Sequence, residues 1–354
     1  MLRKKPKIKE VESFPSTLAG FGYYVKPDGS IRSIQSDTPY DFEYKLKDRP
    51  YNEARYEAFT KIIADMVVQK LEQLPLNMIK APVPSNVTIG SSEPHTYILM
   101  TRDAMTTPDK LLVLIPGSQI SIGQWSRRVM CDDNINEGSM ITTCLKALEQ
   151  GYQVIITNPN ANYWFDHQSW TKRTGPKSIY IPQSDTPENH INHVFEHYIK
   201  PSAASDIVIM GQGWAGHLIE EQLNSNFDLF KKRVKAIALA DSVHSRDMVE
   251  GDDKRVFLFE KVMNWMASVE EKKDAIIRDP RFGCTCISAG VEIADFTLPT
   301  SLNDMFKFLQ GEFGDQTTED EIVTDSFRQE LEENELEDLN EFVTVVDRDS
   351  NVEI

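Results

Sequence analysis

The stretch IVIMGQGWAGHLIEEQL, Ile207 to Leu223, reads as a buried strand, a glycine-rich turn and the start of a helix. A strand, sharp turn and helix in this order form a nucleophile elbow when the turn carries G-x-S-x-G, because the strained backbone lifts a serine hydroxyl for attack. Here the middle position is Gly213, which has no side chain to attack with. The frame of an elbow is present and its nucleophile is absent.

Outward from this stretch, strand and helix alternate. HTYILMTR and KLLVLIPGSQ read as strands, and the apolar run Leu111 to Ile115, closed by Pro116 and Gly117, suits a strand covered on both faces. A helix around Met140 to Gln150 leads through Gly151 to YQVIITNPN, a strand that breaks at Asn158-Pro159. SDTPENHINHVFEHYIK predicts a helix with Ser or Asp as N-cap and Pro187 near its first position. After the elbow, VKAIALADSVHS predicts a strand ending in Asp241, RVFLFEKVMNWMASV a helix, CTCISAG a short strand and SLNDMFKFL a final helix. The alternation predicts an α/β fold, a mostly parallel sheet with helices on both faces. Functional groups in such a sheet gather at strand C-termini, here Pro116-Gly117, Asn158-Pro159, Gly211-Gln212-Gly213, Asp241-Ser242 and Ser288-Ala289-Gly290.

Ahead of the sheet, FGYYVKPDGSIRSIQ carries a hairpin signal about Lys26-Pro27-Asp28-Gly29, and an amphipathic helix from about Asn52 to Leu74 stops at Pro75. The expected organisation is a basic leader (1–13), a hairpin-and-helix extension (14–80), an α/β core (81–310) and an acidic tail (311–354).

The net charge of −17 is not spread evenly: residues 311–354 hold sixteen Asp or Glu against Arg328 and Arg348, a balance of −14 that leaves −3 for the rest. A nearly neutral body offers no basic stripe, which disfavours direct nucleic-acid binding. The tail mixes acid with Phe327, Leu331, Leu336, Leu339 and Phe342, a composition suited either to solubility or to ordering on a partner. No apolar run approaches the roughly 18 residues of a membrane span, and no apolar segment follows the leader MLRKKPKIKEVESFP as a secretory signal requires. The four cysteines, with C-x-C at Cys284 and Cys286, match neither a disulfide framework nor a zinc knuckle.

Several residues bear on chemistry. GQGWAG matches G-x-G-x-x-G, but the next strand ends in Asp241 nearly thirty residues later and the motif does not open the domain, so no dinucleotide or other cofactor is expected. A hydrolase order of Ser, acid, His places Asp241 as the acid, yet VEIADFTLPTS after the last strand has no histidine. Ser118, Ser242, His217 and His244 are the candidates for a relocated triad. His190, His193 and His197 share a helical face, and His193 and His197 have the i, i+4 spacing that can hold zinc; a solvated face is the simpler expectation, with Ile191, Val194, Phe195, Tyr198 and Ile199 packing the helix.

FPSTLAGFGYYVKPDGSIRSI, RYEAFTKIIADMV, LLVLIPGS, GQWSRR, GYQVIITNPNANY, the elbow, VKAIALADSVHS and CISAG, in that order, resemble the argonaute-binding protein two (Arb-type) domain family. The resemblance implies an α/β-hydrolase-like fold. In animal members the elbow reads G/A-H-S-Y-G-G, a strand end carries H-G, and a histidine follows the S-A-G strand. At the corresponding positions this chain has Gly213, Pro116 and Ala294, and keeps Asp241. The expectation is a pseudo-hydrolase without a catalytic set, acting in the nucleus and cytoplasm with protein partners such as argonaute, chromatin or splicing proteins. A hydrolase with relocated residues and a small-ligand binder using the emptied site are the alternatives. Animal members also carry a long basic insertion after the N-P-N strand, whereas the segment from Trp164 to Gln183 is short and holds Lys172, Arg173 and Lys177.

Overall fold

The computed structural model describes residues 13–171 and 175–311. All but the last residue of the basic leader and the first of the acidic tail lie outside that range, as do Lys172 and Arg173.

The chain opens with the expected hairpin, β1 (Tyr23–Val25) against β2 (Ile31–Ser33), with Tyr23 and Ile31 buried. Helix α1 (Arg49–Glu72) follows, capped by the Asp48 side chain, which accepts from the Tyr51 amide at 3.3 Å. Phe59, Ile63, Val67 and Leu71 recur at four-residue spacing and are fully buried, whereas Leu74 lies beyond the helix and is exposed.

Next come β3 (Ile79–Val83), β4 (Thr96–Met100) and β5 (Lys110–Ile115), then three short helices, α2 (Arg127–Asp132), α3 (Ile135–Gly138) and α4 (Ile141–Glu149). β6 (Tyr152–Ile156) returns to the sheet, and β7 (Tyr163–Thr171) with β8 (Gly175–Tyr180) forms a separate antiparallel ribbon. Helix α5 (Pro187–Val194) takes its cap from Thr186, one residue beyond the expected Asp185, and runs on as a π-turn over Phe195–Ile199. β9 (Asp206–Gln212), α6 (Ala215–Ser225), α7 (Phe227–Arg233) and β10 (Val234–Ala240) follow, then α8 (Asp252–Lys261), β11 (Val262–Met266), β12 (Ile276–Ile277), β13 (Thr285–Ser288) and α9 (Thr297–Leu309).

Among the described residues one nine-stranded sheet runs β12-β13-β11-β10-β9-β5-β6-β4-β3. β4 is antiparallel to both β3 and β6, β12 is antiparallel to β13, and every other pairing is parallel. With the edge strand β12 set aside and the other eight counted in chain order, their spatial sequence is 1-2-4-3-5-6-7-8 with the second strand reversed. That is the α/β-hydrolase arrangement. It puts β5 and β9 at the centre, where all residues from Leu111 to Ile115 and from Ile207 to Met210 are buried because helices cover both faces. On one face Val113, Ile115, Ile207 and Ile209 pack with Ile191, Val194 and Phe195 of the α5 segment and with Leu218 and Ile219 of α6.

One expectation fails here. The helix read over Arg255 to Val269 ends at Lys261, and VMNWM becomes β11, parallel to β10 and β13. Four apolar residues around Asn264 fit either period, and Trp265, 1% exposed, gains its burial as part of a strand. The sheet therefore has a further strand end, at Met266-Ala267.

Candidate functional site

The elbow keeps its geometry. β9 ends at Gln212, Gly213 takes a left-handed backbone (φ +55°), and α6 begins at Ala215. A Cβ built at Gly213 meets nothing within 4 Å, so the place where a nucleophile would stand is open. The flanking glycines have a different reason. A Cβ at Gly211 would come within 2.8 Å of the Ala215 Cβ, and one at Gly216 within 1.8 Å of the Ser242 Oγ. Both are required by close packing of α6 against the strand and the loop after β10. The Gly213 amide donates to the Ala240 carbonyl (2.9 Å) and the Val243 amide donates to the Gly213 carbonyl (2.9 Å), pinning the turn to the end of β10 and the loop that follows it.

Asp241 lies at the end of β10, also left-handed (φ +43°). Its Oδ1 accepts from the Ala267 amide at 2.7 Å, from the strand end that the sequence reading missed. Burial pushes its carboxyl up, as does the Asp295 charge, while the Thr297 hydroxyl and the Ala267 amide pull it down. Ala294 opens a 3-10 turn before α9, and its neighbour Asp295 accepts a very short hydrogen bond from the Ser126 hydroxyl. Pro116 is buried just past β5, and a Cβ on the next residue, Gly117, would stand 3.3 Å from the Gln212 carbonyl.

The degenerate positions thus converge on one end of the sheet, where Asp241 and Asp295 sit among buried polar groups. Gln212 Oε1, the Ser301 hydroxyl and both polar atoms of the Gln124 side chain are buried without a hydrogen-bond partner. Sequence reasoning did not find Asp295, Ser126 or Gln124. In the sequence, only the position of Asp295 after the last parallel strand pointed to it.

Of the relocated-triad candidates, the structure joins Ser242 and His244. The Ser242 Oγ lies 2.8 Å from His244 Nδ1, and Cys284 Sγ lies 3.5 Å from His244 Nε2. Burial pushes the His244 imidazole down to about 4, opposed by the Phe282 carbonyl. Ser242 is 5% exposed, its hydroxyl wedged against the Gly216 backbone. Asp241 turns to the Ala267 amide, and among the described residues the hydrogen-bonding side chains at His244 are Ser242 and Cys284, not a carboxylate. Ser118 is exposed, and His217 lies against Trp214 and Glu220–Glu221 instead of a hydroxyl.

The histidine face is not solvated, which corrects the expectation for two of its three residues. His190 is fully buried and His193 is 5% exposed. His190 Nε2 accepts from the Asn158 amide (3.0 Å) and His193 Nε2 from the Ser85 amide (2.9 Å), so both act as neutral acceptors. Burial lowers them to about 3 and about 4. His193 and His197 do stack, with ring centroids 4.2 Å apart. Among the described residues no group of three or more His, Cys, Asp or Glu is gathered for a metal.

The fold and the elbow define an α/β-hydrolase-like protein. Comparison with known proteins narrows this: residues 14–272 match the Arb2 domain, and the chain belongs to that family. It is 31% identical over 338 residues to the cotranscriptional regulator ARB2A homolog of Xenopus tropicalis, covering 83% of this chain and 79% of that one. It is 29% identical over 337 residues to the human cotranscriptional regulator ARB2A, covering 83% and 80%. Solved structures with a similar fold include a histone deacetylase from Saccharomyces cerevisiae (TM-score 0.47, 11% identity, 72% of this chain and 98% of that one). A bacterial heroin esterase is also similar (TM-score 0.37, 14% identity, 76% and 91%). The fold assignment rests on the strand order, not on these likenesses.

Proposed function

We propose that this protein is a non-catalytic interaction module in cotranscriptional gene control, an α/β-hydrolase-like scaffold that docks proteins instead of cleaving esters. The observation behind this is Gly213: an elbow with its backbone intact, open space above it, and no group to attack. Ala294 and Pro116 support it from the other two strand ends. The naming of the ARB2A relatives as cotranscriptional regulators supports the regulatory half. The proposal adds a nuclear and cytoplasmic location and argonaute, chromatin or splicing proteins as partner classes. Among the described residues no helix is long and apolar enough to cross a membrane. In this reading residues 14–80 brace the core of residues 81–310, and the acidic residues 311–354 are a partner-binding tail.

One observation favours a second reading, hydrolysis by relocated residues: Ser242 and Cys284 both reach His244. Burial of Ser242 and the missing carboxylate weigh against it. An assay of purified protein on p-nitrophenyl acetate separates the two. The expected rate is that of buffer; turnover abolished by Ser242→Ala or Cys284→Ala would overturn the non-catalytic reading. Affinity purification with mass spectrometry tests the partner classes, with recovery of chromatin, splicing or argonaute proteins expected.

A further inference from the structure

In three places a serine or threonine precedes proline: Thr38-Pro39, Thr107-Pro108 and Thr186-Pro187. Such a dipeptide is what proline-directed kinases modify, and by itself it is a weak signal. A kinase cleft must also hold several substrate residues in extended form, so the surroundings of each threonine decide which can be offered.

Thr107 and Thr186 are built into the fold. Thr107 is half-buried in the turn before the central strand β5, and the backbone around it is paired: the Met105, Pro108 and Asp109 carbonyls accept from the Ala203, Ser205 and Asp206 amides (3.1, 3.0 and 3.0 Å). Its hydroxyl accepts from the Asp109 amide at 3.4 Å. Thr186 is the N-cap of α5, where its hydroxyl accepts from the Asn189 amide (3.1 Å) and its carbonyl from the His190 amide (3.0 Å). Extending the chain there would unwind the helix that carries the buried His190.

Thr38 is placed differently. It lies in the loop between β2 and α1, where every residue from Ile34 to Pro39 is exposed. The loop closes on its own start, with the Asp37 amide donating to the Ser33 carbonyl (3.0 Å) and the Ser33 amide to the Thr38 carbonyl (2.8 Å). The Thr38 hydroxyl lies 2.8 Å from that of Ser36, which is equally exposed. The surroundings also suit a phosphate. Beside it Asp37 accepts from Lys26 Nζ (2.7 Å) and from the Tyr24 hydroxyl (3.1 Å). The Lys26 hydrogen bond, with the fields of Lys26 and Arg32, holds the Asp37 carboxyl below its ordinary range. A phosphate on Thr38 would add a charge of about −1.5 to −2 next to these two cations.

We infer that Thr38 is a phosphorylation site for a proline-directed serine/threonine kinase, presented by the exposed loop between the hairpin and α1. The Thr38 Oγ1 bonds to the γ-phosphorus of ATP, the bond from that phosphorus to the β–γ bridging oxygen breaks, ADP leaves, and the hydroxyl proton passes through the kinase to water. The inference is independent of whether the elbow is catalytic.

The test incubates the full chain, and three synthetic peptides of residues 32–44, 102–113 and 181–192, with an activated mitogen-activated protein kinase and magnesium ATP. Tandem mass spectrometry maps the phosphate, and the peptides give the rate of each site without the fold. Referred to its own peptide, Thr38 in the folded chain should be labelled about tenfold or more faster than Thr107 or Thr186, since those two react only from locally opened states. Thr38→Ala should abolish labelling of the folded chain and, because the side chain is exposed, should melt with the wild type. Three results overturn the inference: a 32–44 peptide that is not a substrate, a folded chain left unlabelled at Thr38 under conditions that label this peptide, or Thr107 or Thr186 labelled as fast as Thr38 once each is referred to its peptide.

Discussion

Two turns at the same end of the sheet, a few residues past β6 and past β9, are built on opposite terms. At the first, the side chains are tied into a hydrogen-bonded network. The His190 ring accepts from the Asn158 amide and pairs through Nδ1 with the Ser184 hydroxyl (2.8 Å), which also donates to the Ala161 carbonyl (3.1 Å). Asn158 donates to Thr96 and Tyr97, and Asn160 to the Gly117 and Ile120 carbonyls. At the second turn two of the residues are glycines, the space above Gly213 is open, and Gln212 carries a buried oxygen without a partner. The first turn is held by its side-chain network and the second by backbone packing. A hydrogen-bonded network is a structural lock, while an unsatisfied buried group beside an open turn marks a place shaped for something other than stability.

The contrast can be broken most severely at His190. His190→Ala strands the Asn158 amide and opens a cavity, and should cost about 3 kcal/mol in urea unfolding. The same residue sets a pH dependence. Above about pH 6.5 its ring is neutral in both folded and unfolded chains. Below that, the unfolded chain takes up a proton that the folded chain refuses until about pH 3. Its contribution to stability is therefore complete above pH 6.5 and falls with pH through this window, by about 1.4 kcal/mol per pH unit. His190→Asn should flatten that slope in unfolding curves taken from pH 7 to pH 5. Next in size is Gly216→Ala, which drives a methyl into the Ser242 hydroxyl and should cost about 2 kcal/mol by thermal melting. Smallest is Gly213→Ser. With no atom in its way, only the left-handed backbone opposes it, at about 1 kcal/mol. It should fold and remain inactive on p-nitrophenyl acetate, because Ala294 stands where the family resemblance places the base; restored turnover would show that another histidine serves.

How far the fold was legible follows from what is local. The elbow, the hairpin at Lys26–Gly29 and the central strands announce themselves through glycine, proline and unbroken apolar runs, each read within a few neighbours. β11 does not, since VMNWM, four apolar residues around Asn264 after a helix, satisfies both periods and only the gap between β10 and β13 decides. Gly213, Pro116, Asp241 and Ala294 were read from the family resemblance as the positions where a catalytic set would stand. Their setting was not, because Asp295 meets Ser126 across 169 residues of chain. His190 and His193 looked like a wet face for the same reason: their amide partners lie 32 and 108 residues away. Helical spacing shows which residues share a face, but not what covers it.

The empty space over Gly213 also has a practical use. Cys131, Cys144 and Cys286 are buried and Cys284 is half-buried, so a cysteine introduced at 213 would be the thiol most open to a maleimide among the described residues. A fluorophore attached there would stand at the mouth of the sheet, one residue from Trp214. It would report on whatever approaches that end of the molecule without any reaction having to occur.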